Sequence, residues 1–229
     1  MALERQLNLA DLLSPVMKAF QEERAATCRT FEITKRSELV KLFNLGSSGS
    51  TWRDKFGDAV STLAFACMPR GWFYQNMAVG GEAGKDFLGS VEPTNQIVRP
   101  HQADQYYHGL EGRLQRHSPY TFLVAISTPN FLRAVQTLAR NQTLVNQARV
   151  ACALERYRLA QGQYPGTLDA LIPRFVENLP HDLIGGQPLN YHRTDGGGYR
   201  LYSIGWDETD NGGVPGQSRE EGDWVWELR

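Results

Sequence analysis

Residues 153–165 read ALERYRLAQGQYP, a helix-forming run that stops at Gly162 and Pro165. Ala, Leu, Glu and Arg favour a helix. Glycine commonly supplies the left-handed residue that ends a helix, and proline cannot continue one. The sequences LPHDLIGGQPLNY (179–191) and LYSIGWDETDNGG (201–213) follow. This order predicts a helix, a turn-rich stretch, short strands and an acidic glycine loop.

The helix that ends at Gly162 is predicted to begin near residue 129. Thr128 can cap it, and Pro129 suits its first turn. At 1.5 Å per residue, the segment 129–161 would form a rod roughly 50 Å long. We expect the first part of this rod to pack on the N-terminal helices or on a partner. Its apolar positions recur at steps of three, four or seven residues, which keep them on one helix face, at Phe131, Val135, Leu138, Val145, Ala148 and Cys152.

The C-terminal part predicts a small antiparallel sheet. Thr167 is expected to cap a short helix in TLDALIPRF. Segments 188–193 and 199–204 are predicted strands, and the turn Thr194-Asp195-Gly196-Gly197-Gly198 joins them, with glycine where φ must be positive. Segment 223–228 alternates and is a third candidate strand.

The N-terminal part, residues 1–128, is predicted to be a mainly helical region. Asn8 or Asp11 can cap the first helix. The predicted helical segments are 8–26, 51–67, a helix start at 72–79, and 100–117. The fold class is therefore α+β, divided into 1–128 and 129–229. The aromatic run Trp72-Phe73-Tyr74 suits a core, with a partner groove as the alternative.

The bulk composition is that of a globular protein. The 229 residues include 24 basic and 25 acidic ones, for a net charge of −1, and 41% are hydrophobic. No global field or basic stripe draws in nucleic acid. The first 30 residues do not match a signal peptide, and no apolar run approaches the roughly 20 residues of a spanning helix.

The three cysteines, Cys28, Cys67 and Cys152, cannot all pair within one chain. One disulfide is an alternative, but three buried thiols are favoured. Cys67 and Cys152 stand among apolar residues and are expected to be core thiols, not nucleophiles.

The last hundred residues resemble the globular domain of the major pseudopilins of type II secretion systems. That family has an ALE-x-YRL-x-x-G-x-YP helix end, then LP-x-DPWG-x-PY-x-Y, then Y-x-x-x-SLG-x-DG and DDI-x-x-W stretches. The matching residues are Ala153, Leu154, Glu155, Tyr157, Arg158, Leu159, Gly162, Tyr164, Pro165, Leu179, Pro180, Asp182, Gly186, Pro188, Tyr191, Tyr202, Ser203, Ile204, Gly205, Asp207, Asp223 and Trp224.

The resemblance covers residues 130–229 and departs from the family in three ways. Leu183-Ile184 replace the family's Pro-Trp. The prepilin cleavage motif and the hydrophobic membrane helix are not found, and residues 1–128 have no counterpart. The missing helix builds the filament core of the family, so the resemblance implies a pseudopilin-like head, not a filament subunit.

In the resembled family the acidic loop binds calcium, an ion that takes six to eight oxygen ligands. The resemblance implies Asp207 and Asp223 as ligands, with Ser203 and Gly205 contributing carbonyls. Asp210 and Glu221 are further candidates. The loop is not an EF-hand, because positions three and twelve are Thr209 and Ser218. The alternative is a solvated acidic turn.

Other chemical motifs are weak. His101, His108 and His117 lack the tight spacing of a zinc site, and surface histidines are favoured. Asp104 and His108 stand four residues apart, which suits a helical pair. The segments GSSGS (46–50) and GGEAGK (80–85) lack the phosphate-loop pattern, and no G-x-S-x-G elbow is present.

The functional prediction is a non-enzymatic, extracytoplasmic structural or interaction protein of bacterial type, linked to a type II secretion-like system. It would bind protein partners and no nucleic acid, and would reach a membrane only through a segment outside this chain. We expect a periplasmic or cell-envelope ectodomain. An alternative is an envelope-associated enzyme with a site between the helical region and the head, using His101 or His108. A third reading is a pseudopilin-like head reused as a scaffold.

Overall fold

The computed structural model has an α+β fold, as predicted. It describes residues 6, 7, 10–33, 63, 67–114, 118, 120–127, 131–218 and 220–228. In chain order the elements are α1 (Leu13–Ile33), α2 (Arg70–Leu88), β1 (Val91–Glu92), β2 (Ile97–Val98), α3 (Pro100–Leu114), α4 (Phe122–Ser127), α5 (Phe131–Gln161), a 3-10 helix (Leu168–Leu171), β3 (Asn190–Arg193), β4 (Tyr199–Ser203) and β5 (Trp224–Leu228).

The chain divides into two compact units, one of residues 1–18, 86–109 and 129–229, the other of residues 19–85 and 110–128. We call the first the head unit, a larger set of residues than the head predicted over 129–229. It includes residues 1–18 and 86–109, which the predicted division at 128/129 places with the N-terminal region. Hydrogen bonds over long sequence separations explain this membership. The Leu12 amide donates to the Gln142 side chain at 2.7 Å, and the Val98 amide donates to the Leu183 carbonyl at 2.8 Å.

Helix α1 begins as predicted, at an aspartate cap. The Asp11 carboxylate accepts hydrogen bonds from the Leu13 and Ser14 amides at 3.0 and 3.1 Å. A side-chain acceptor at this position satisfies amides that have no partner within the helix.

Helix α5 spans 31 residues and ends where the sequence predicts. Gly162 has φ +81°, and its amide donates to the Arg158 carbonyl at 2.7 Å. The glycine therefore supplies the left-handed residue that stops the helix. The predicted start at Thr128 and Pro129 lies outside the described residues.

The last turns of α5 pack on an antiparallel sheet of order β3-β4-β5. The predicted hairpin is confirmed, because Thr194 and Gly198 close the turn and Gly197 has φ +80°. Tyr164, which follows α5, meets Tyr199 of β4 edge to face, with ring centroids 4.9 Å apart. The buried core between these elements contains Val150, Ala151, Ala153, Leu154, Tyr164, Leu171, Leu189, Tyr199 and Leu201.

Two local features differ from prediction. Thr167 is extended, with φ −139°, and its side chain makes no capping hydrogen bond, so the predicted cap is wrong. The element it precedes is only a single turn of 3-10 helix, over Leu168–Leu171. The pair β1–β2 was not predicted, since strands of two residues carry no readable alternation.

The second unit has a small apolar core of its own, formed by Val79, Leu110 and Val124. The side chain of Asn76 links two of its helices, since it donates to the Trp72 carbonyl at 2.7 Å and accepts from the Val124 amide at 3.4 Å. Within the aromatic run 72–74, Phe73 is buried and Tyr74 is exposed. The predicted helix 51–67 lies largely outside the described residues.

Among the helices that the structure describes, none combines the length and the apolar character needed to cross a membrane.

Candidate functional site

The acidic loop between β4 and β5 is organised around the carboxylate of Asp223. This residue immediately precedes β5 and is only 3% exposed. Its carboxylate accepts hydrogen bonds from the Asn211 amide at 3.2 Å and from the Gly213 amide at 2.6 Å. Its own amide donates to the Val214 carbonyl at 3.0 Å. Asp223 thus ties the middle of the loop to the start of β5.

Asp207 forms a second attachment point on the exposed side of the loop. One of its oxygens accepts from the Thr209 amide at 3.2 Å. The other accepts from the Gly222 amide at 2.9 Å and from the Asn211 side-chain amide at 3.4 Å. Asn211 is therefore bonded to Asp207 through its side chain and to Asp223 through its backbone. Asn211 thus links the two carboxylates favoured as ligands.

Glycine is required where the two ends of this loop meet. Gly205 and Gly222 both have φ +73°. A Cβ atom on Gly205 would collide with the Gly222 carbonyl, which leaves no space for a side chain. The close approach of two backbones, together with the left-handed conformation, explains why the sequence is glycine-rich at these positions.

The other predicted ligands occupy different surroundings. Asp210 is exposed, and its carboxylate accepts from the Gly212 amide at 2.8 Å. Burial, and then the charge and hydrogen bond of Asp210, raise the pKa of Tyr202. Glu221 is exposed. The Gly205 carbonyl accepts a long hydrogen bond of 3.4 Å from the Glu208 amide.

Ser203 leads to a buried carboxylate that was not predicted as a site residue. Its hydroxyl donates to Asp182 at 2.7 Å. The Asp182 carboxylate also accepts from the Ile184 amide at 2.9 Å and from the Ile204 amide at 3.1 Å. Asp182 is 2% exposed, and burial raises its pKa despite these three donors. It joins the loop after Pro180 to the end of β4.

Asp182 carried a usable signal in the sequence. An aspartate between proline and the apolar pair Leu183-Ile184, followed by two glycines, suits a side chain that satisfies backbone amides in a tight turn. It also matches an aspartate of the resembled family pattern. Its partner Ser203 is 21 residues away, so the hydrogen bond between them could not be predicted from the sequence.

The donor chemistry of the loop fits calcium, but the carboxylates alone do not form a complete site. Within the described part of the chain, no three Asp, Glu, His or Cys side chains converge as metal ligands would. Calcium takes six to eight oxygens. An ion beside Asp207 and Asp223 would therefore draw most of its ligands from backbone carbonyls and water.

The histidine stretch lies on α3. His101 and His108 are exposed, and His117 lies outside the described residues. Between them, the Asp104 carboxylate accepts from the Trp206 indole, with both oxygens at 3.2 Å. Burial raises the pKa of Asp104, the Trp206 hydrogen bond opposes this, and the charge of Glu220 adds to it. Asp104 thus anchors α3 to the acidic loop.

The prediction that the cysteines are core thiols is wrong for Cys67, which is exposed, while Cys152 is half-buried. Apolar neighbours in the sequence did not bury Cys67, which lies before Pro69 and outside α2, since that helix begins at Arg70. The side chain of Cys28 is not among those that the structure describes.

Helix α5 carries a stripe of buried amide side chains that sequence reasoning missed. Gln142 is 1% exposed, accepts from the Leu12 amide and donates to the Ala10 carbonyl. Gln147 is fully buried and donates to the Trp224 carbonyl of β5 at 2.6 Å. These amides attach the N-terminal segment and the sheet to the long helix.

Comparison of the chain with protein-family models, with curated proteins and with solved structures finds no match.

Proposed function

We propose that this chain is a non-enzymatic, extracytoplasmic structural or interaction protein whose C-terminal part is a pseudopilin-like, calcium-stabilised head. The observation that carries the proposal is the order of parts. A long helix ends at Gly162, its last turns pack on a three-stranded antiparallel sheet, and an acidic loop closes between β4 and β5. The resembled family has the same order.

The role of the loop supports a structural function. Asp207, Asp223 and Asn211 hold one another and the loop backbone through hydrogen bonds. A cation at this point would relieve the repulsion between the carboxylates and would add oxygen–metal bonds to the same cross-link. The chemistry requires no substrate, because a fixed ion would serve the stability of the head alone.

Calcium titration tests the metal. We expect the Tm of the full chain to rise with calcium and to fall again with a chelator. At a calcium concentration about 100 times the Kd, binding adds about 2.7 kcal/mol to the free energy of unfolding. For a chain of this size that corresponds to about 5–10 °C.

Matched variants locate the ion. Asp207→Asn and Asp223→Asn should lose the calcium-dependent rise in Tm, whereas Asp195→Asn in the exposed hairpin turn should keep it. The readout is the rise itself, so a lower starting Tm in a variant does not imitate lost binding. An equal rise in all three variants would place calcium elsewhere and would contradict the assignment.

Secretion by the source organism tests the cellular role. Deletion of the gene should deplete proteins from the medium and retain them in the cell envelope. Reintroduction of the wild-type gene should restore export. Unchanged export in the deletion strain would refute the link to a secretion system without bearing on the calcium site.

A further inference from the structure

Trp206 lies between the two residues through which the start of the acidic loop meets its end. On one side of it, a Cβ atom on Gly205 would collide with the Gly222 carbonyl. On the other side, the Asp207 carboxylate accepts from the Gly222 amide at 2.9 Å. Gly205 and Asp207 are also two of the predicted calcium ligands. Any shift of Trp206 would therefore be passed to two ligands and to the contact that closes the loop.

The side chain of Trp206 is held from outside the loop by Asp104 of α3. Trp206 is only 3% exposed, and its indole Nε1 lies 3.2 Å from each oxygen of the Asp104 carboxylate. The indole N–H is the single polar group of this side chain and can only donate. A buried tryptophan usually needs a partner for it. Asp104 supplies that partner and so fixes the ring.

A second carboxylate holds the residues just before Trp206. Asp182 accepts from the Ser203 hydroxyl at 2.7 Å and from the Ile204 amide at 3.1 Å. The segment 203–207 is thus anchored by carboxylates from two other parts of the chain. Of these two, Asp104 lies in the region that has no counterpart in the resembled family, and its support of the loop is a feature of this chain.

We propose that Asp104 is a positioning residue for the cation site of the acidic loop and acts through Trp206. This role rests on the proposed function, in which the loop holds calcium. Groups outside a metal's own ligands orient those ligands, and their loss typically lowers metal affinity by about 10–100-fold. The affinity of the loop for calcium would then depend on α3.

The negative charge of Asp104 is a second means by which it would favour a cation. Burial raises the pKa of Asp104, and the charge of Glu220 adds to this effect, so another carboxylate of the loop lies near it. Asp104→Asn separates position from charge. The amide oxygen of asparagine can still accept from the Trp206 indole, whereas the charge is lost.

Isothermal titration calorimetry of the full chain with calcium tests the proposal. We expect Asp104→Ala to weaken calcium binding about tenfold and Asp104→Asn to stay within about twofold of the wild type. Asp195→Ala, which removes an exposed carboxylate from the hairpin turn, should bind as the wild type does. A lower global stability does not produce this pattern, since the Kd is measured on folded protein. Wild-type affinity in Asp104→Ala, or equal weakening in Asp104→Ala and Asp104→Asn, would overturn the positioning role.

Trp206→Phe tests the route of the effect. The variant keeps an aromatic ring but lacks the N–H that Asp104 accepts, so calcium binding should again weaken about tenfold. Both variants break the same hydrogen bond, so adding Asp104→Ala to Trp206→Phe should cost less than about twofold more. Losses that multiply in the double variant would overturn the route through Trp206. Trp206→Phe also keeps the proposal testable if Asp104→Ala does not fold.

Amide hydrogen exchange without calcium distinguishes this inference from the calcium function itself. The Gly222 amide donates to Asp207, so in Asp104→Ala it should exchange about fivefold faster than in the wild type, while the Gly197 amide should not change. If the wild type binds no calcium, the proposed function fails and the positioning of a cation site fails with it. If the wild type binds calcium, but neither the exchange of Gly222 nor the affinity responds to Asp104→Ala, the inference about Asp104 alone is overturned.

Discussion

The buried carboxylate of Asp182 offers the most quantitative test of how the head is held together. It accepts hydrogen bonds from the Ser203 hydroxyl and from the Ile184 and Ile204 amides. Asp182→Ala removes both acceptor oxygens and breaks all three hydrogen bonds. Ile184 and Ser203 are fully buried, and each donor left unsatisfied costs about 1–3 kcal/mol. We expect a loss of about 4 kcal/mol in the free energy of unfolding.

Asp182→Asn should be milder. If its amide oxygen takes the place of the oxygen that serves Ser203 and Ile184, only the bond to Ile204 is lost. We expect a loss of about 1–2 kcal/mol. At about 2–4 °C per kcal/mol, the alanine variant should melt about 12 °C below the wild type, and the asparagine variant about 5 °C below it.

Scanning calorimetry is the appropriate assay, because two compact units can unfold in separate transitions. Asp195→Asn, in the exposed hairpin turn, is the control and should lie within about 0.5 kcal/mol of the wild type. If Asp182→Ala were as stable as this control, the carboxylate would not hold the two loops together, and the reasoning would be refuted.

The difference in unfolding free energy between the wild type and Asp182→Asn, followed as a function of pH, tests the balance between burial and hydrogen bonding. Burial raises the pKa of Asp182 above its usual 3.8, so the folded state holds the proton more tightly than the unfolded state. This contribution to stability is complete below pH 3.8 and is lost as pH rises through the folded-state pKa. The stability advantage of the wild type over Asp182→Asn should therefore shrink as pH rises. An advantage that grew with pH would mean that the hydrogen bonds outweigh burial.

Two further predictions concern the loop and the amide stripe. Gly205→Ala should lower the free energy of unfolding by more than about 2 kcal/mol, because its Cβ would collide with the Gly222 carbonyl and Gly205 has a left-handed backbone. A Cβ at Gly196 would meet no atom, so Gly196→Ala should be neutral or slightly stabilising. Thermal melting of both variants measures the difference. Gln142→Leu removes the bonds to the Leu12 amide and the Ala10 carbonyl, so limited proteolysis should cleave the N-terminal segment faster than in the wild type. Asn141→Ala, on the exposed face of α5, should leave the cleavage rate unchanged, and equal rates in both variants would contradict the attachment.

The parts of the fold that the sequence predicted are those with local causes. Gly162 ends α5 because a glycine and a following Tyr-Pro act within one turn of the helix. The hairpin at 194–198 likewise depends on its own five residues. The cap of Thr167 was wrong because a single 3-10 turn did not place its side chain near an amide.

The parts that escaped prediction depend on partners far along the chain. Gln142 and Gln147 look like solvent-facing positions of a helix, but their partners Leu12 and Trp224 lie 130 and 77 residues away. The same holds for the candidate site. The family resemblance singled out Asp207 and Asp223, and their shared contact with Asn211 emerged only from the folded loop.

Amide hydrogen exchange of the acidic loop, with and without calcium, tests the central claim most directly. The Gly213 and Gly222 amides donate to Asp223 and Asp207, so their protection reports how firmly the loop is closed. If the head is calcium-stabilised, calcium should slow exchange at both amides at least tenfold, while the hairpin amide of Gly197 should change little. Equal exchange of Gly213 and Gly222 with calcium and with chelator would contradict the account.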